Sequence, residues 1–338
     1  MSECFLRFSV RVPSGFTPAA FQAAAVEAEA AGFDQIWTGN DQFKPSGIVP
    51  VVLALAATER IHVGSSVLNP VTLHPIEIAS LVANLQQISD GRYLLGLGAG
   101  SEVYLRWAAL DIEAPVPRTV RGLRVVRALL NHQPVSEIPG EEKWDPKASL
   151  NSPPFPPAPI YVGAMGPKML AAAGREADGV LALCLPPDHF EWVGEQVGPR
   201  AKTTDFDLAC CIWVSIDDDA AAARRRLAEK IAAAGGHLAP EALSKAGIDP
   251  NKAAHVQKLW DAGQHDSAVR VIDETMMQLG IAGDTDEVLS RCTRLIDRGV
   301  RHLSFGQPLG SSAAGAIRQL GERVLPVLRE RYHIHDCA

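Results

Sequence analysis

Three short segments rich in glycine or serine stand at the ends of apolar runs and could hold a bound ring or phosphate. They are GSSVLNP (Gly64 to Pro70), GLGAGSE (Gly96 to Glu102) and VGAMGP (Val162 to Pro167). Glycine has no Cβ atom, so its backbone N–H groups can approach a planar ring or a phosphate closely. Pro167 suits the first position of a helix, whose free N–H groups favour an anion. Together the segments predict a cofactor site, and glycine-rich packing turns are the alternative.

The glycines Gly96, Gly98 and Gly100 do not form a dinucleotide-binding motif. A Rossmann site needs G-x-G-x-x-G at the first βα turn of its domain and an acidic residue about 20 positions later. Here the spacing differs, the fourth predicted strand carries the glycines, and the residues that follow at that distance are APVPR. The pair Ser65-Ser66 breaks the preceding apolar strand and predicts a β-bulge, which can turn the backbone towards a ligand.

Arg11 is a charged residue at the end of the first predicted strand. A charge in that position is disfavoured unless it is paired, so we expect its guanidinium to meet an anion. The anion is the substrate, the cofactor tail or a neighbouring carboxylate such as Asp41, and the pair within the chain is the simpler interpretation. Of the histidines, His74 is expected to pack or cap at a helix start and His302 to lie in the core.

The elements that position these residues repeat one unit, in which a helix ends at a glycine and a short apolar strand follows. Pro18 starts the first such helix and Gly32 ends it. Strands are predicted near residues 5–11, 33–38, 61–66, 93–98, 159–163, 178–183, 206–215 and 300–305. This alternation is typical of an α/β protein with a (β/α)8 TIM barrel, and a doubly wound sheet is the alternative. A barrel places its functional residues at the carboxyl ends of the strands.

Residues 1–338 are predicted to form a single domain that carries two insertions at the C-terminal mouth of the barrel. The first, residues 131–158, is rich in proline and irregular. The second, residues 217–283, holds alanine-rich helices without a clear strand. Neither shows enough apolar pattern for a core of its own.

Composition narrows the class of protein further. The 338 residues are 47% hydrophobic, which is enough for a sizeable core, and the net charge of −7 gives no electrostatic footprint for nucleic acid. No apolar run approaches the roughly 20 residues of a membrane span. The start MSECFLRFSV lacks the pattern of a secretory signal, so a cytoplasmic location is expected. The six cysteines form no CxxC pair and no metal-ligand spacing, so we expect buried or free thiols and no metal site.

Four segments resemble the bacterial luciferase-like superfamily, and within it the branch that depends on coenzyme F420. They are GFDQIWTGNDQF, RIHVGSSVLNPVTLHP, ISDGRYLLGLGAG and PIYVGAMGPKMLAAAGREADGVL. The branch includes methylenetetrahydromethanopterin reductase and the F420-dependent glucose-6-phosphate and secondary-alcohol dehydrogenases. The resemblance covers the chain from about residue 5 to 330.

The resemblance implies coenzyme F420 as the cofactor, with FMN as the alternative. It implies a cis peptide bond between Ser66 and Val67 behind the deazaflavin ring, and a contact of Asn69 with the ring or the ribityl chain. Further cofactor contacts are implied for Gly98, Ala99, Gly100 and Ser101 beside the ring and for Gly163, Ala164, Met165 and Gly166 around the phosphate. The implied catalytic candidates are Asp41, Glu102 and Arg11, although Asp41 also suits a simple turn.

The chain departs from the dehydrogenases of this branch at their acid–base residues. Gln42 stands in place of a histidine, Ser46 in place of a tryptophan, and Ser101 in place of a glutamate, with Glu102 displaced by one position. A reductase of a C=N or C=C/C=O group, similar to the methylenetetrahydromethanopterin enzyme, therefore fits better than an alcohol dehydrogenase, because hydride transfer to such a group depends chiefly on orientation. Arg11 replaces an inward glutamate of that reductase, so a pterin substrate does not follow.

Two alternatives stay open beside this reductase of a small organic molecule. One is an FMN-dependent luciferase-like monooxygenase, and the other is a flavin-binding protein without turnover. A homodimer is expected because dimers are common among such folds.

Overall fold

The computed structural model of the protein describes residues 6–110, 113–238 and 240–332. The strands in these ranges are β1 (Arg7–Val12), β2 (Gln35–Thr38), β3 (His62–Leu68), β4 (Tyr93–Leu97), β5 (Ile160–Ala164), β6 (Gly179–Leu183), β7 (Asp207–Ile216), β8 (Gly280–Gly283) and β9 (His302–Leu309). The α-helices in the same ranges are α1 (Pro18–Ala30), α2 (Ile48–Ala57), α3 (Pro75–Ser89), α4 (Glu102–Trp107), α5 (Pro115–Leu130), α6 (Pro167–Glu176), α7 (Phe190–Val197), α8 (Ala220–Ala234), α9 (Pro240–Lys245), α10 (Pro250–Asp261), α11 (His265–Val271), α12 (Glu274–Met277), α13 (Thr285–Asp297), α14 (Ala313–Arg323) and α15 (Leu325–Arg331).

The strands form one sheet that closes into a barrel. Their order is β6-β5-β4-β3-β2-β1-β9-β7-β8, and an additional pairing joins β6 to β7. The closed ring thus consists of eight strands, β1 to β7 and β9, with helices between them, and β8 extends the sheet beside β7. All residues of β2 and β4 are buried, as expected for strands covered on both faces. The predicted TIM barrel is therefore confirmed, and its eight predicted strands correspond to the eight strands of the ring.

The chain comprises two compact units. The larger consists of Val12–Ala182 and Val193–Ala209, and it contains the strands β2 to β6 with the three glycine- and serine-rich segments. Its core is fixed by close approaches: a Cβ atom at Gly64 would overlap the indole ring of Trp37, and one at Gly179 would stand 2.5 Å from Cε1 of Tyr161. Trp37 and Tyr161 meet edge to face, with their ring centroids 5.1 Å apart.

The irregular segment 131–158 lies in this larger unit and packs along the helices α3 and α5. The buried carboxylate of Glu141 pairs with Arg121 on α5 and accepts a hydrogen bond of 2.8 Å from Trp144 Nε1. The His74 ring, at the start of α3, lies 6.1 Å from the Trp144 ring. Near the end of α3, Gln87 Nε2 donates to the carbonyl oxygen of Pro153 over 3.2 Å. The described contacts of the segment are thus with these outer helices, and its position at the barrel mouth stays a prediction.

The other unit consists of Met1–Arg11, Leu183–Trp192 and Cys210–Ala338. It contains a hydrophobic cluster drawn largely from the segment 217–283, in which Trp213 of β7 packs with residues such as Leu227, Ile231 and Met276. The segment thus supplies most of a buried cluster that Trp213 and Leu185 complete from outside it, and its description as an insertion stays a prediction. The buried face of α8 consists largely of alanines, with only Leu227 and Ile231 as large apolar residues among charged neighbours, which hides this face in the sequence. The segment also contains a strand that was not predicted, β8, whose residues Gly280 to Gly283 pair in parallel with Trp213 to Ile216.

The cysteines of the described residues are free and buried. They are Cys184, Cys210, Cys211 and Cys292, whereas Cys4 and Cys337 lie outside the described residues. Burial raises the pKa of the Cys292 thiol to about 12. The prediction of buried thiols is confirmed for these four. Among residues 6–110, 113–238 and 240–332, none of the helices has the length and apolar character that crossing a membrane requires.

Candidate functional site

The candidate site is built around a bulge in β3. Ser65 pairs with Leu95 of β4, but Leu68 pairs with Leu97, so β3 has one more residue than its partner between these two points. The peptide bond between Ser66 and Val67 is cis. Both the bulge and the cis bond are thus confirmed. Because the bulge lies at the carboxyl end of β3, it changes the direction of the backbone on the side of the barrel where ligands are expected.

The bulge explains three of the glycines, two through the side chain of Val67 and one through the carbonyl oxygen of Ser65. A Cβ atom at Gly98 would lie 2.6 Å from Val67 Cγ2, and one at Gly163 would lie 2.8 Å from Val67 Cγ1. At Gly96 a Cβ atom would collide with the carbonyl oxygen of Ser65. These distances are too short for any side chain, so glycine on β4 and β5 is required by the neighbouring bulge. The glycine-rich packing turn that the sequence left as an alternative is therefore present here.

Asn69 joins the bulge to the turn that follows β4. Its side chain is only 2% exposed. Its Nδ2 donates to the carbonyl oxygen of Ala99 over 2.8 Å, and its Oδ1 accepts from the backbone N–H of Val71 over 2.8 Å. Gly100 has a φ of +71°, and a Cβ atom there would stand 2.7 Å from Asn69 Nδ2. The amide thus fixes both backbone segments, which the sequence alone did not indicate.

Tyr93 supports the bulge from within the core. Its hydroxyl group donates to Ser65 Oγ over 3.0 Å, and both side chains are buried. Burial raises the pKa of the Tyr93 phenol, so this group stays protonated and remains a donor at neutral pH. The bulge is therefore held by a side chain from β4 on the residue before Ser66.

The loop after β2 brings Asp41 and Gln42 to the same end of the larger unit. The Asp41 carboxylate accepts a hydrogen bond from Ser14 Oγ and lies 3.4 Å from Lys44 Nζ. Gln42 Nε2 lies 3.5 Å from Thr72 Oγ1. A Cβ atom at Gly100 would be 3.7 Å from Gln42 Oε1, so the amide of Gln42 faces the glycine turn. Gln42 and Thr72 are therefore site residues that no motif singled out as contacts.

Glu102 stands in the first turn of the short helix α4, directly after its N-cap residue Ser101. The Glu102 side chain is 63% exposed and pairs with Arg106 one helical turn later, at 2.5 Å. Ser101 makes no side-chain hydrogen bond to the start of the helix. The carboxylate of Glu102 thus has a surface partner, and its role as an acid or base stays a prediction.

The start of α6 provides the part of the site that suits an anion. Gly166 is its N-cap residue, no side chain caps the first turn, and Pro167 occupies the first position. A Cβ atom at Gly166 would have no atom within 4 Å, so there is free space beside the helix start. Met165 is 43% exposed while Ala164 is buried. The free N–H groups and the positive end of the helix dipole favour a phosphate there.

Arg11 and His302 belong to the smaller unit. Arg11 Nη2 donates to the carbonyl oxygen of Ile212 over 3.0 Å, while its buried Nε atom has no hydrogen-bond partner. A Cβ atom at Gly306 would overlap the guanidinium group, so glycine is needed beside it. His302 is 1% exposed and its Nε2 lies 2.8 Å from Ser9 Oγ, which confirms it as a core residue. His74 caps α3 by accepting from the Ile76 N–H, also as predicted.

Known proteins resemble the chain over nearly its whole length. The family model described as luciferase-like monooxygenase matches residues 4–302. The 5,10-methylenetetrahydromethanopterin reductase of Methanolobus tindarius is 30% identical over 311 residues, covering 88% of this chain and 93% of that protein. The F420-dependent glucose-6-phosphate dehydrogenase of Nakamurella multipartita is 30% identical over 337 residues, covering 93% of this chain and 94% of that protein.

Solved structures agree with these sequence matches. The coenzyme F420-dependent tetrahydromethanopterin reductase from Methanopyrus kandleri superposes with a TM-score of 0.82 at 26% identity, over 96% of this chain and 99% of that one. An F420-dependent secondary alcohol dehydrogenase superposes with a TM-score of 0.73 at 21% identity, over 96% of this chain and 99% of that one, which shows a shared fold.

Proposed function

The chain belongs to the luciferase-like monooxygenase family, and from this we propose that it is an oxidoreductase that transfers a hydride between coenzyme F420 and a small organic substrate. The names of its relatives support the cofactor, since both the reductases and the sugar dehydrogenases among them depend on F420. The observation that carries the proposal is the backbone surface formed by the β3 bulge, the turn at Gly98 to Gly100 and the start of α6. Val67 belongs to the bulge. Its side chain lies against Gly98 of the turn and against Gly163, three residues before Gly166, the N-cap residue of α6.

The residues present fit this cofactor. Free space beside Gly166 leaves the first turn of α6 accessible to a phosphate. The turn at Ala99 and Gly100 presents backbone without large side chains, and Asn69 holds it against the bulge. We therefore assign Ser66, Val67 and Asn69 to the back of a flat ring, Gly98 to Ser101 to its edge, and Gly163 to Gly166 to its phosphate. When bound, the deazaflavin supplies or accepts the hydride.

The proposed reaction is reduction of a C=N or C=C/C=O group. Gln42 and Ser101 stand where the related dehydrogenases have an acid–base pair, and neither side chain can accept and release a proton at neutral pH. Asp41, Glu102 and Arg11 are the charged candidates for polarising or orienting the substrate. Both carboxylates are paired at the surface, Asp41 with Lys44 and Glu102 with Arg106. We favour Asp41 because the amide of the adjacent Gln42 faces the glycine turn.

Cofactor titration tests the proposal. The purified protein is titrated separately with F420 and with FMN, and F420 is expected to bind at micromolar concentration. N69A should weaken F420 binding about tenfold, because the turn at Ala99 loses its anchor. N251A, which removes an exposed amide on α10, serves as the matched control and should bind as the wild type does. Binding of FMN alone would favour a monooxygenase, and binding of neither would contradict the cofactor assignment.

Turnover tests the reaction class. Reduced F420 is mixed with the protein and an imine, an enone or a ketone, and its reoxidation is followed by the return of absorbance of the oxidised deazaflavin. Reoxidation with one of these acceptors supports a reductase. A protein that binds reduced F420 but never reoxidises it is a binding protein without turnover.

We also propose a homodimer that forms through the helices α1 and α2. The helix α2 contains no charged residue, yet Val49 is 52% and Leu53 is 37% exposed. Val26, on the neighbouring α1, is 46% exposed. An uncharged face can meet its own copy across a two-fold axis without like-charge repulsion. Sedimentation should show a dimer, and L53E should shift it to a monomer, whereas V327E, at an exposed apolar position on α15, should not.

A further inference from the structure

Three aromatic side chains, Phe43, Tyr104 and Trp107, form an exposed cluster that we call the aromatic platform. The ring centroid of Phe43 lies 6.3 Å from that of Tyr104 and 6.0 Å from that of Trp107. The rings of Tyr104 and Trp107 are 5.4 Å apart. The angles between the ring planes are 73°, 58° and 53°, so the rings touch without stacking face to face.

The platform is unusually accessible for residues of this kind. Phe43 is 66% and Trp107 is 67% exposed. Val103 and Leu110, which are 47% and 37% exposed, extend the apolar surface along and beyond α4. Large aromatic side chains normally bury most of their area, and contiguous exposed apolar patches mark binding sites.

The backbone of Phe43 supports the same interpretation. Its φ is +62°, in the left-handed region that bulky residues rarely adopt. Such conformations concentrate at ligand-binding positions. The loop after β2 therefore holds this phenyl ring at the surface in a conformation that glycine or asparagine would adopt more easily.

The platform adjoins the candidate cofactor site. Phe43 follows Gln42, whose side chain faces Gly100 and lies 3.5 Å from Thr72 Oγ1. Tyr104 stands one turn into α4, whose N-cap residue Ser101 ends the glycine turn. A substrate that reaches the cofactor from this side would therefore pass over the aromatic rings.

Charge and spacing decide which chemistry the platform suits. The charged side chains that flank Phe43 and Tyr104 in the sequence are paired, Asp41 with Lys44 at 3.4 Å and Glu102 with Arg106 at 2.5 Å. An aromatic cage for an ammonium group needs space between its rings. Here the rings contact one another, so only their outward faces are available, and these faces favour a flat, uncharged group.

We propose that the aromatic platform binds a planar, π-conjugated part of the substrate by stacking. This inference rests on the proposed function, because it names the substrate class of the same site. It makes Phe43 and Trp107 specificity-determining residues that act in binding and do not take part in hydride transfer.

Ligand titration of the full chain tests the platform. Lumazine and 2-naphthol are planar bicyclic probes of different polarity, and their dissociation constants are measured by calorimetry. F43A and W107A should each weaken probe binding about fivefold to tenfold, the loss expected for one aromatic contact. I88A, which removes an exposed apolar side chain on α3 away from the ring cluster, is the matched control and should leave binding unchanged.

The other outcomes separate this inference from its alternatives. Failure of the wild type to bind either probe, or an equal loss in I88A, would overturn it. Loss of F420 binding in F43A or W107A would assign the rings to the cofactor instead, and a change from dimer to monomer would assign them to a subunit contact. If the wild type binds no F420 but the probes bind and respond to both variants as expected, the platform stands and the proposed function fails.

Discussion

The side chain of Val67 lies so close to Gly98 that a Cβ atom at position 98 would stand 2.6 Å from Val67 Cγ2. Alanine at position 98 must therefore push the bulge away or distort β4. We expect G98A to lower the free energy of unfolding by about 1 to 3 kcal/mol, as for other overpacked sites. Urea unfolding followed by circular dichroism measures this loss.

Removal of the clashing methyl groups should restore part of that stability. V67A/G98A is expected to be more stable than the sum of the two single changes predicts, because the residues share one space. G194A is the control, since a Cβ atom at Gly194 would have its nearest neighbour at 3.9 Å. Strictly additive effects of V67A and G98A would show that the two positions do not compete for this space.

The buried carboxylate of Glu141 makes stability depend on acidity. Hydrogen bonds from Arg121, and a further one from Trp144, hold the pKa of Glu141 below its usual range. A lowered pKa in the folded state stabilises the protein above the unfolded pKa of about 4.3, and this contribution is lost as the pH falls through the folded value. E141Q should cost about 1 to 2 kcal/mol at pH 7 and flatten the acid limb of a stability profile below about pH 4.3. E322Q, at an exposed position of α14, should leave the profile as in the wild type.

The buried thiol of Cys292 should have the opposite dependence on pH. Its pKa is raised to about 12 by burial, so the folded state keeps a proton that the unfolded state loses above about pH 8.5. Stability from this source is present below about pH 8.5 and falls as the pH rises towards 12. C292A should therefore flatten the alkaline part of the stability profile.

Burial should also protect the described cysteines from alkylation. At pH 8 and without denaturant, iodoacetamide should leave Cys184, Cys210, Cys211 and Cys292 unlabelled, and peptide mass spectrometry measures the labelling. Rapid labelling of Cys292 in the folded protein would contradict this burial.

Tyr161 should be needed for its hydroxyl group as well as its ring. The hydroxyl donates to Asp207 Oδ2 over 2.7 Å. Gln35 Nε2 lies 3.4 Å from the Tyr161 hydroxyl oxygen and 3.4 Å from Asp207 Oδ2. Y161F leaves the partly buried carboxylate of Asp207 with one hydrogen bond fewer, so we expect a loss of about 1 to 3 kcal/mol in urea unfolding. Y332F, near the end of α15, removes a hydroxyl that is partly exposed and should cost less.

The sequence predicts the barrel because each strand is a short apolar run between turn residues, as in YLLGL of β4. It does not reveal β8, since GIAG has two glycines and only four residues, and its identity as a strand comes from pairing with β7. The buried cluster of 217–283 is hidden for a similar reason, because its apolar residues come from several short helices that meet only in the folded unit.

Within the candidate site, local sequence patterns locate the three segments but do not show which contacts require their residues. The sequence predicts that a ring approaches Gly98, and the structure adds that Val67, 31 positions earlier, already requires glycine there. The resemblance implies a contact of Asn69 with the cofactor, and the structure adds that its buried amide binds Ala99 and Val71. Such contacts depend on which residues lie opposite across neighbouring strands, and no single segment contains that information.

The packing of one valine against β4 and β5 bears on how this barrel could be re-engineered. Gly98 and Gly163 are both limited by Val67, so they cannot be varied one at a time without steric conflict. A library that first places alanine or glycine at position 67 would free both positions for larger side chains. Residue 67 is thus the starting point for reshaping this end of the barrel, and the glycines are the sites that such a change makes available.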